Sequence, residues 1–254
     1  MLKILLSGCN GTMGQVIKNF AADNQHIKIT AGFDKDPKKY NNDFPVYSDM
    51  HLCHEDADVI IDFSHFSAFE DVTDYAKQRR LPLVMATTGL NEENEDQLKE
   101  LSKQIPVFRT ANMSLGVNVI LDLIRRASKT LSDTFDIEII EKHHNKKVDA
   151  PSGTALMLAQ GIDDALEGKS NFVFGRHTKQ DHREKKDIGI HAIRGGTIVG
   201  EHSVLYAGMD ELIEIKHTAL SKNIFAGGAI KAAKYIVNKK NGYYNMEKLL
   251  EENQ

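Results

Sequence analysis

The amino-acid sequence predicts an α/β fold: a doubly wound parallel sheet followed by a smaller α+β region. Three observations carry that expectation. The first half of the chain alternates short apolar runs with amphipathic stretches at helical spacing, the rhythm of a parallel sheet covered by helices on both faces. A glycine-rich turn, Gly8-Cys9-Asn10-Gly11-Thr12-Met13-Gly14, joins the first apolar run to the first helical one. Near residue 113 the pattern changes to a long helix, a strand and a second helix, and then to strands separated by glycine-containing turns.

The elements follow in order. Residues 2–6 are an apolar run bounded by Gly8 and read as a buried strand. Met13, Val16, Ile17 and Phe20 recur at helical spacing and place a helix over 13–22. Residues 27–33 are a second strand and 59–63 a third, followed by a helix to about Gln78. Residues 83–86 are a fourth strand, 91–103 a charged helix, and Val107 and Phe108 a short fifth strand. Beyond the change of pattern, 117–131 is a long amphipathic helix. Residues 135–141 are a strand with Ile137 and Ile139 on one face, and 155–166 are a helix. The polar stretch 168–186 is expected to be a loop. Strands over 188–194, 197–206 and 211–217 are joined by turns at Gly195-Gly196 and Gly208, so consecutive strands are expected to pair antiparallel. Residues 222–237 form the last helix.

Composition narrows the function. The chain has 254 residues, 41% hydrophobic and 27% charged, the balance of a folded globular protein. A formal net charge of -4 gives no support to general nucleic-acid binding. Basic residues nevertheless cluster at 142–147 and 179–186, which suits a small anionic ligand better than a polyanion. Two cysteines, Cys9 and Cys53, with no Cys-x-x-Cys spacing, disfavour a disulfide framework or a zinc ribbon and point to a reducing cytoplasm. No apolar run approaches the roughly 20 residues of a membrane span, so no membrane partner is expected. The chain also starts directly into a strand pattern rather than a secretory signal.

The glycine turn is the nucleotide end. Glycine permits the tight turn and a close approach of backbone to pyrophosphate, and the helix N-terminus offers N–H groups and partial positive charge. Asp34 ends the second strand, twenty residues after Gly14, where an acid can accept hydrogen bonds from the adenosine ribose. This makes a Rossmann-like dinucleotide site the expectation. Cys9 is read as a small filler within the turn. Asp34 repels a 2'-phosphate, which favours NADH, while Lys35, Lys38 and Lys39 stand ready to meet one, so dual use of NADH and NADPH is expected. The loops Ala86-Thr87-Thr88-Gly89 and Thr110-Ala111-Asn112-Met113 follow the fourth and fifth strands. They therefore lie at the carboxyl ends, where such sheets bind ligands.

The chemical end is residues 141–155, Glu-Lys-His-His-Asn-Lys-Lys-Val-Asp-Ala-Pro-Ser-Gly-Thr-Ala. His143 and His144 have three readings. Metal ligation with Glu141 lacks helical His-x-x-x-His spacing and is opposed by neighbouring lysines, so no metal is expected. A structural role, with the rings satisfied by backbone, stays open. Acid chemistry near neutral pH is the third. Lys147 adds a fixed positive charge. Pro151 suits the first turn of a helix, and Ser152, Gly153 and Thr154 then leave N–H groups for a carboxylate. The ensemble asks for a small substrate with at least one carboxylate and an atom to protonate. Joined to a nicotinamide site, it implies reduction of a C=N or C=C bond.

This fifteen-residue segment resembles the signature of the dihydrodipicolinate reductase family, also called 4-hydroxy-tetrahydrodipicolinate reductase. The glycine turn, Ala86-Thr87-Thr88-Gly89, Thr110-Ala111-Asn112-Met113-Ser114 and Phe225-Ala226-Gly227-Gly228-Ala229 are similar too, so the resemblance spans essentially the whole chain. By motif position it implies His143 as the acid/base residue and Lys147 as a proton donor, with His144, Gly153 and Thr154 holding a substrate carboxylate. It implies NADH- or NADPH-dependent reduction of a cyclic dicarboxylate in the diaminopimelate and lysine pathway. The substrate domain then carries a mixed open sheet that builds a homotetramer. The last helix returns to the nucleotide domain, giving 1–113 with 223–254 as the dinucleotide-binding domain and 114–222 as the substrate-binding and tetramerisation domain. Many relatives carry arginine where Thr12 stands, so one 2'-phosphate contact is lost here. Two alternatives compete with it: a non-catalytic nucleotide sensor on the same fold, which needs neither His143 nor Lys147, and a semialdehyde dehydrogenase, which needs a cysteine nucleophile that the second half lacks.

Overall fold

A computed structural model describes residues 1–177 and 182–252. The chain divides into two compact units, Met1–Leu115 with Lys222–Gln254, and Gly116–Ser221.

The first unit is a seven-stranded sheet in which every pairing is parallel. Its strands are β1 (Leu2–Ser7), β2 (Ile27–Phe33), β3 (Val46–Tyr47), β4 (Val59–Asp62), β5 (Leu83–Met85), β6 (Pro106–Arg109) and a late strand of residues 242–244. The order is late strand-β6-β5-β4-β1-β2-β3, so the chain winds outward in both directions from β1. Alternate residues explain the two covered faces. Ile4, Leu6, Ile61, Val84 and Phe108 face one core, with Ile17 of α1 (Thr12–Ala22) and Ala229, Ile230 and Ala233 of the late helix Asn223–Ile236. Leu5, Ile60, Leu83, Met85 and Val107 face the other, with Val72 and Tyr75 of α2 (Phe69–Arg79) and Leu98 and Leu101 of α3 (Glu92–Leu101). The late helix lies so close to the chain that a Cβ at Gly228 would stand 1.7 Å from the Met113 carbonyl oxygen. Only glycine fits there.

The second unit packs α4 (Leu115–Leu131) and α5 (Gly153–Ala165) on one face of a five-stranded sheet. Its strands are β7 (Asp136–His143), β8 (Asn171–Phe174), β9 (Asp187–Arg194), β10 (Gly200–Ala207) and β11 (Leu212–Ala219), in the order β11-β10-β7-β9-β8. The late helix, the late strand and the terminal helix Met246–Glu251 are α6, β12 and α7. β7 pairs antiparallel with β10 and parallel with β9, so the sheet is mixed. Ile137, Ile139, Ile188, Ile190, Val204 and Tyr206 form the inner face against Ile124, Leu158 and Ile162.

Several expectations are corrected. β9 and β10 are not neighbours, because β7 lies between them. Their connection crosses the end of β7, where the Gly195 N–H donates to the His143 carbonyl (2.9 Å) and the Asn145 N–H to the Gly196 carbonyl (3.2 Å). Those bonds replace the hairpin that the glycine turn predicted. β7 runs through His143 rather than stopping at Glu141. The loop expected over 168–186 contains β8; its residues 178–181, including Lys179 of the basic cluster, lie outside the described residues. Pro151 precedes the helix cap Ser152 instead of occupying the first turn.

Candidate active site

In the first unit, β1 delivers the glycine turn at the carboxyl end of the sheet. Gly8 has φ of +72°, and a Cβ there would meet the Phe63 carbonyl oxygen at 2.5 Å. Gly11 caps α1 with no side chain, and the first helical bond runs from Gln15 N–H to the Gly11 carbonyl at 3.1 Å. No side chain caps this N-terminus, so Thr12 and Met13 begin a helix end with partial positive charge, the cradle a pyrophosphate requires. Cys9 is fully buried in the core, and burial pushes its thiol up to about 12, while its N–H donates to the Phe33 carbonyl (3.2 Å) and its carbonyl accepts from Gln15 Nε2 (2.9 Å), so it shapes the turn as a small filler. The Asn10 N–H donates to Asp34 Oδ2 (2.9 Å) and the Asp36 N–H to Oδ1 (3.1 Å). Asn10 Nδ2 donates to the Asp36 carbonyl (2.7 Å), which fastens the turn to the segment that carries Lys35. Lys35 and Lys38 are exposed, and Lys39 sits 5.4 Å over the Tyr40 ring.

The other two loops are held differently. Thr87 is buried, and its hydroxyl donates to Asp62 Oδ2 at 2.5 Å, so it fixes the loop instead of facing a ligand. Thr88 and Gly89 are exposed, and Ala86 is half-buried. Thr110 Oγ1 donates to the Asn112 carbonyl (3.1 Å), Ala111 is exposed, and the Met113 side chain is buried in the core. Asp62 and Arg109 are the positions sequence reasoning passed over. Asp62 is fully buried at the end of β4, and Arg109 Nη1 donates to the Thr87 carbonyl (2.9 Å) while Nε donates to Glu95 (2.9 Å). An acid closing an apolar strand was the available signal for Asp62.

In the second unit the inner face of the sheet turns polar at one end. Glu141 and His143 sit on β7, two residues apart, and so point the same way. Glu141 is fully buried. Its Oε2 lies 2.6 Å from His143 Nδ1 and accepts from Arg194 Nη1 (2.7 Å). Its Oε1 accepts from Arg194 Nη2 (2.7 Å) and from the Ser152 N–H (3.0 Å). Burial opposes its ionisation, but the Arg194 fork, His143 and the Ser152 N–H outweigh that and hold the carboxyl below its ordinary value. On the neighbouring strand, His202 meets the His143 ring edge-on, with centroids 5.1 Å apart, and its Nε2 is 2.9 Å from Ser152 Oγ. Burial, with His143 nearby, pushes His202 down to about 4, so it is neutral at neutral pH.

Ser152 caps α5 by accepting from the Ala155 N–H (3.2 Å). Gly153 is exposed at the first turn, and nothing lies within 4 Å of a Cβ built there. A carboxylate can therefore reach the backbone beside Gly153 and Thr154. Lys147 pairs with Asp149 Oδ1 at 2.8 Å, and its N–H donates to the His144 carbonyl (3.2 Å), closing a turn that also carries the half-buried His144. A Cβ on Gly200 would stand 3.1 Å from His143 Nε2, so this glycine keeps that nitrogen approachable. Arg194, His202 and Gly200 were missed from the sequence. The alternation His202, Val204, Tyr206 on one face of β10 was the only trace of His202. Among the described residues, no group of three or more His, Cys, Asp or Glu is placed to hold a metal ion.

Comparison with known proteins adds the following. Residues 2–113 match the family model described as dihydrodipicolinate reductase, N-terminus, and residues 116–250 match the C-terminus model. A 4-hydroxy-tetrahydrodipicolinate reductase of Caldanaerobacter subterraneus is 50% identical over 250 residues, covering 98% of each chain. That of Clostridium tetani is 49% identical, covering 98% of this chain and 97% of its own. Among solved structures, a dipicolinate-bound dihydrodipicolinate reductase from a Paenisporosarcina species superposes with a TM-score of 0.80 at 21% identity, covering 96% of this chain and 97% of that one.

Proposed function

This chain belongs to the dihydrodipicolinate reductase family, and we propose that its two units divide the labour of that reaction. The enzyme reduces 4-hydroxy-tetrahydrodipicolinate to tetrahydrodipicolinate in the diaminopimelate and lysine pathway, with a reduced pyridine nucleotide. Its relatives are reductases, and nothing favours a non-catalytic sensor. The observation that carries the division is the buried Glu141–His143 pair beside the exposed start of α5.

The first unit holds the dinucleotide. Gly8, Gly11 and Gly14 bring backbone to the pyrophosphate, with Cys9, Asn10, Thr12 and Met13 lining the same turn. Asp34 meets the adenosine ribose, and the 86–89 and 110–113 loops flank the remainder. Bound NADH or NADPH supplies a hydride. Asp34 is fixed by two N–H groups and favours NADH, while the exposed Lys35 and Lys38 can meet a 2'-phosphate, so both cofactors serve.

The second unit holds a small cyclic dicarboxylate. The family's dipicolinate-bound relative carries a ligand of that class. Gly153 and Thr154 offer N–H groups at a helix N-terminus, where charge-assisted bonds are worth about 1.5–3 kcal/mol each. His144 adds a second contact. His143, and Lys147 with it, supply the proton that accompanies reduction. The family resemblance and the exposed apolar residues Ile193, Leu212 and Ile213 support a homotetramer built through the second unit's sheet. No described helix is long and apolar enough to cross a membrane. Two cysteines without a Cys-x-x-Cys pair, and the biosynthetic role, support a cytoplasmic enzyme.

A coupled assay tests the function. Substrate made in situ from pyruvate and aspartate semialdehyde should drive loss of reduced-nicotinamide absorbance with either cofactor. Binding of NADH without turnover on this substrate would overturn the reading.

A further inference from the structure

The Glu141 carboxylate collects more donors than ordinary side-chain packing requires. A carboxylate has about four lone-pair sites. Here all four are met, by His143 Nδ1, the Ser152 N–H and both terminal nitrogens of Arg194. The three residues that supply these four donors belong to three different pieces of the site. His143 lies on β7. Ser152 is the cap of α5. Arg194, at the end of β9, also donates through Nη2 to the Asp149 carbonyl (2.6 Å). Asp149 in turn pairs with Lys147. Burying a carboxylate and a guanidinium together is costly unless every site is satisfied; here the carboxylate is fully met, but Arg194 Nε is buried with no hydrogen-bond partner among the described residues, so the pair at this position serves orientation more than stability.

Resting on the function proposed above, we infer that Glu141 and Arg194 are positioning residues that fix the tautomer of His143. An ionised carboxylate can only accept, so His143 Nδ1 must carry a proton whenever the ring is neutral. Nε2 is therefore the nitrogen that exchanges a proton with the substrate. Gly200 leaves that nitrogen open, because any Cβ there would stand 3.1 Å from it. The balance includes one water: the substrate's 4-hydroxyl leaves as water with a proton from the adjacent ring carbon, which creates a ring C=C. Hydride then adds to the carbon that lost the hydroxyl, the imidazolium gives its Nε2 proton to the adjacent ring carbon, and the neutral Nδ1–H ring remains. A proton taken up from solvent restores the imidazolium. The same carboxylate sets the register of the Lys147 turn, through Arg194, and of the helix start at Gly153, through Ser152. One buried charge thus aligns the acid and the carboxylate-binding helix end.

The test is nitrogen NMR on the full-length protein labelled in its 11 histidines. The His143 signals are identified by their loss in His143→Gln. The parent's neutral His143 is expected to carry its proton on Nδ1. In Arg194→Met and in Glu141→Gln the ring should shift to the Nε2–H form or a mixture. kcat should fall about 10²-fold, within the range a positioned general acid contributes, with NADH affinity unchanged. A parent ring protonated on Nε2 overturns the inference. So do folded variants that keep kcat within about threefold of the parent and the same tautomer. If Glu141→Gln does not fold, Arg194→Lys, which keeps the charge and loses the fork, and the parent spectrum decide. The spectrum needs no substrate, so a parent that fails to turn over this substrate would refute the function without touching the tautomer result.

Discussion

Gly200→Ala isolates the approach to His143 from its chemistry. The new methyl carbon would lie 3.1 Å from Nε2, 3.4 Å from Cδ2 and 4.0 Å from the Ala219 Cβ. Ordinary contact between such atoms is about 3.5–4.0 Å, so something must give by several tenths of an ångström. The ring is the softer partner, since Gly200 is paired in the sheet with Ala219. But the ring is tied at its other nitrogen by the 2.6 Å contact to Glu141. Pushing it back stretches or bends a charge-assisted bond worth about 1.5–3 kcal/mol. The methyl also stands where, on the proposed reading, a substrate atom reaches Nε2. Misplacement on the scale of 1 Å can cost about 10² in rate.

The expected result is a kcat lowered roughly 10- to 100-fold with NADH affinity unchanged. The fold should survive, because alanine restricts the unfolded chain more than glycine does and offsets part of the strain. Steady-state kinetics at saturating NADH, with a thermal melt of the same preparation, separate the two effects. A kcat within about twofold of the parent, with an unchanged melt, would show that Nε2 is not the reacting face.

Three further outcomes are expected. His143→Gln should lower kcat by about 10²–10⁴ while leaving the NADH dissociation constant within about twofold, read by fluorescence titration; an equal loss in both would make the residue structural. Asp34→Ala removes the fixed carboxylate but leaves Lys35 and Lys38, so the ratio of kcat/KM for NADPH over NADH should rise about tenfold or more, roughly 1.4 kcal/mol; an unchanged ratio would remove Asp34 from cofactor choice. His202 is held at about 4 by burial against an ordinary value of 6.5. Between those values the unfolded chain binds a proton that the folded chain refuses, so stability is full above about 6.5 and falls as pH drops toward 4. His217, also lowered by burial, acts in the same direction. Urea midpoints of His202→Gln should therefore depend less steeply on pH across that window than those of the parent, and an identical slope would contradict the assignment.

How much of this was visible in the sequence differs by element. The central strands of the first unit were legible because a strand buried on both faces is a run of apolar residues, as in Val59-Ile60-Ile61. β3, β8 and β12 were not, because two to four residues show no period and their pairing depends on partners far along the chain. Asn91 as a helix cap lay at the start of the expected helix, since its side chain meets the Asn94 N–H only three residues away. The same locality made Glu141, His143, Ser152 and Gly153 stand out together. It also left Glu141 looking like a possible metal ligand, because its true partner Arg194 is 53 positions away.

That distance is where strand order becomes chemistry. A hairpin between β9 and β10, the arrangement the glycine turn at 195–196 predicted, would have left β7 without one of its neighbours. Instead β7 is central, with β10 on one side and β9 on the other. Register then sets His143 opposite Arg194 on β9 and Glu141 opposite His202 on β10. A carboxylate on an inward position of β7 is buried whatever its neighbours, and alone it would take up a proton rather than stay charged. It stays charged because β9 brings the guanidinium fork, and it faces a neutral ring because β10 brings a histidine that burial has stripped of its proton. The crossing of the 195–196 turn over the end of β7 is thus what converts a buried Glu-His pair into one with a fixed ring orientation, as the proposed acid requires.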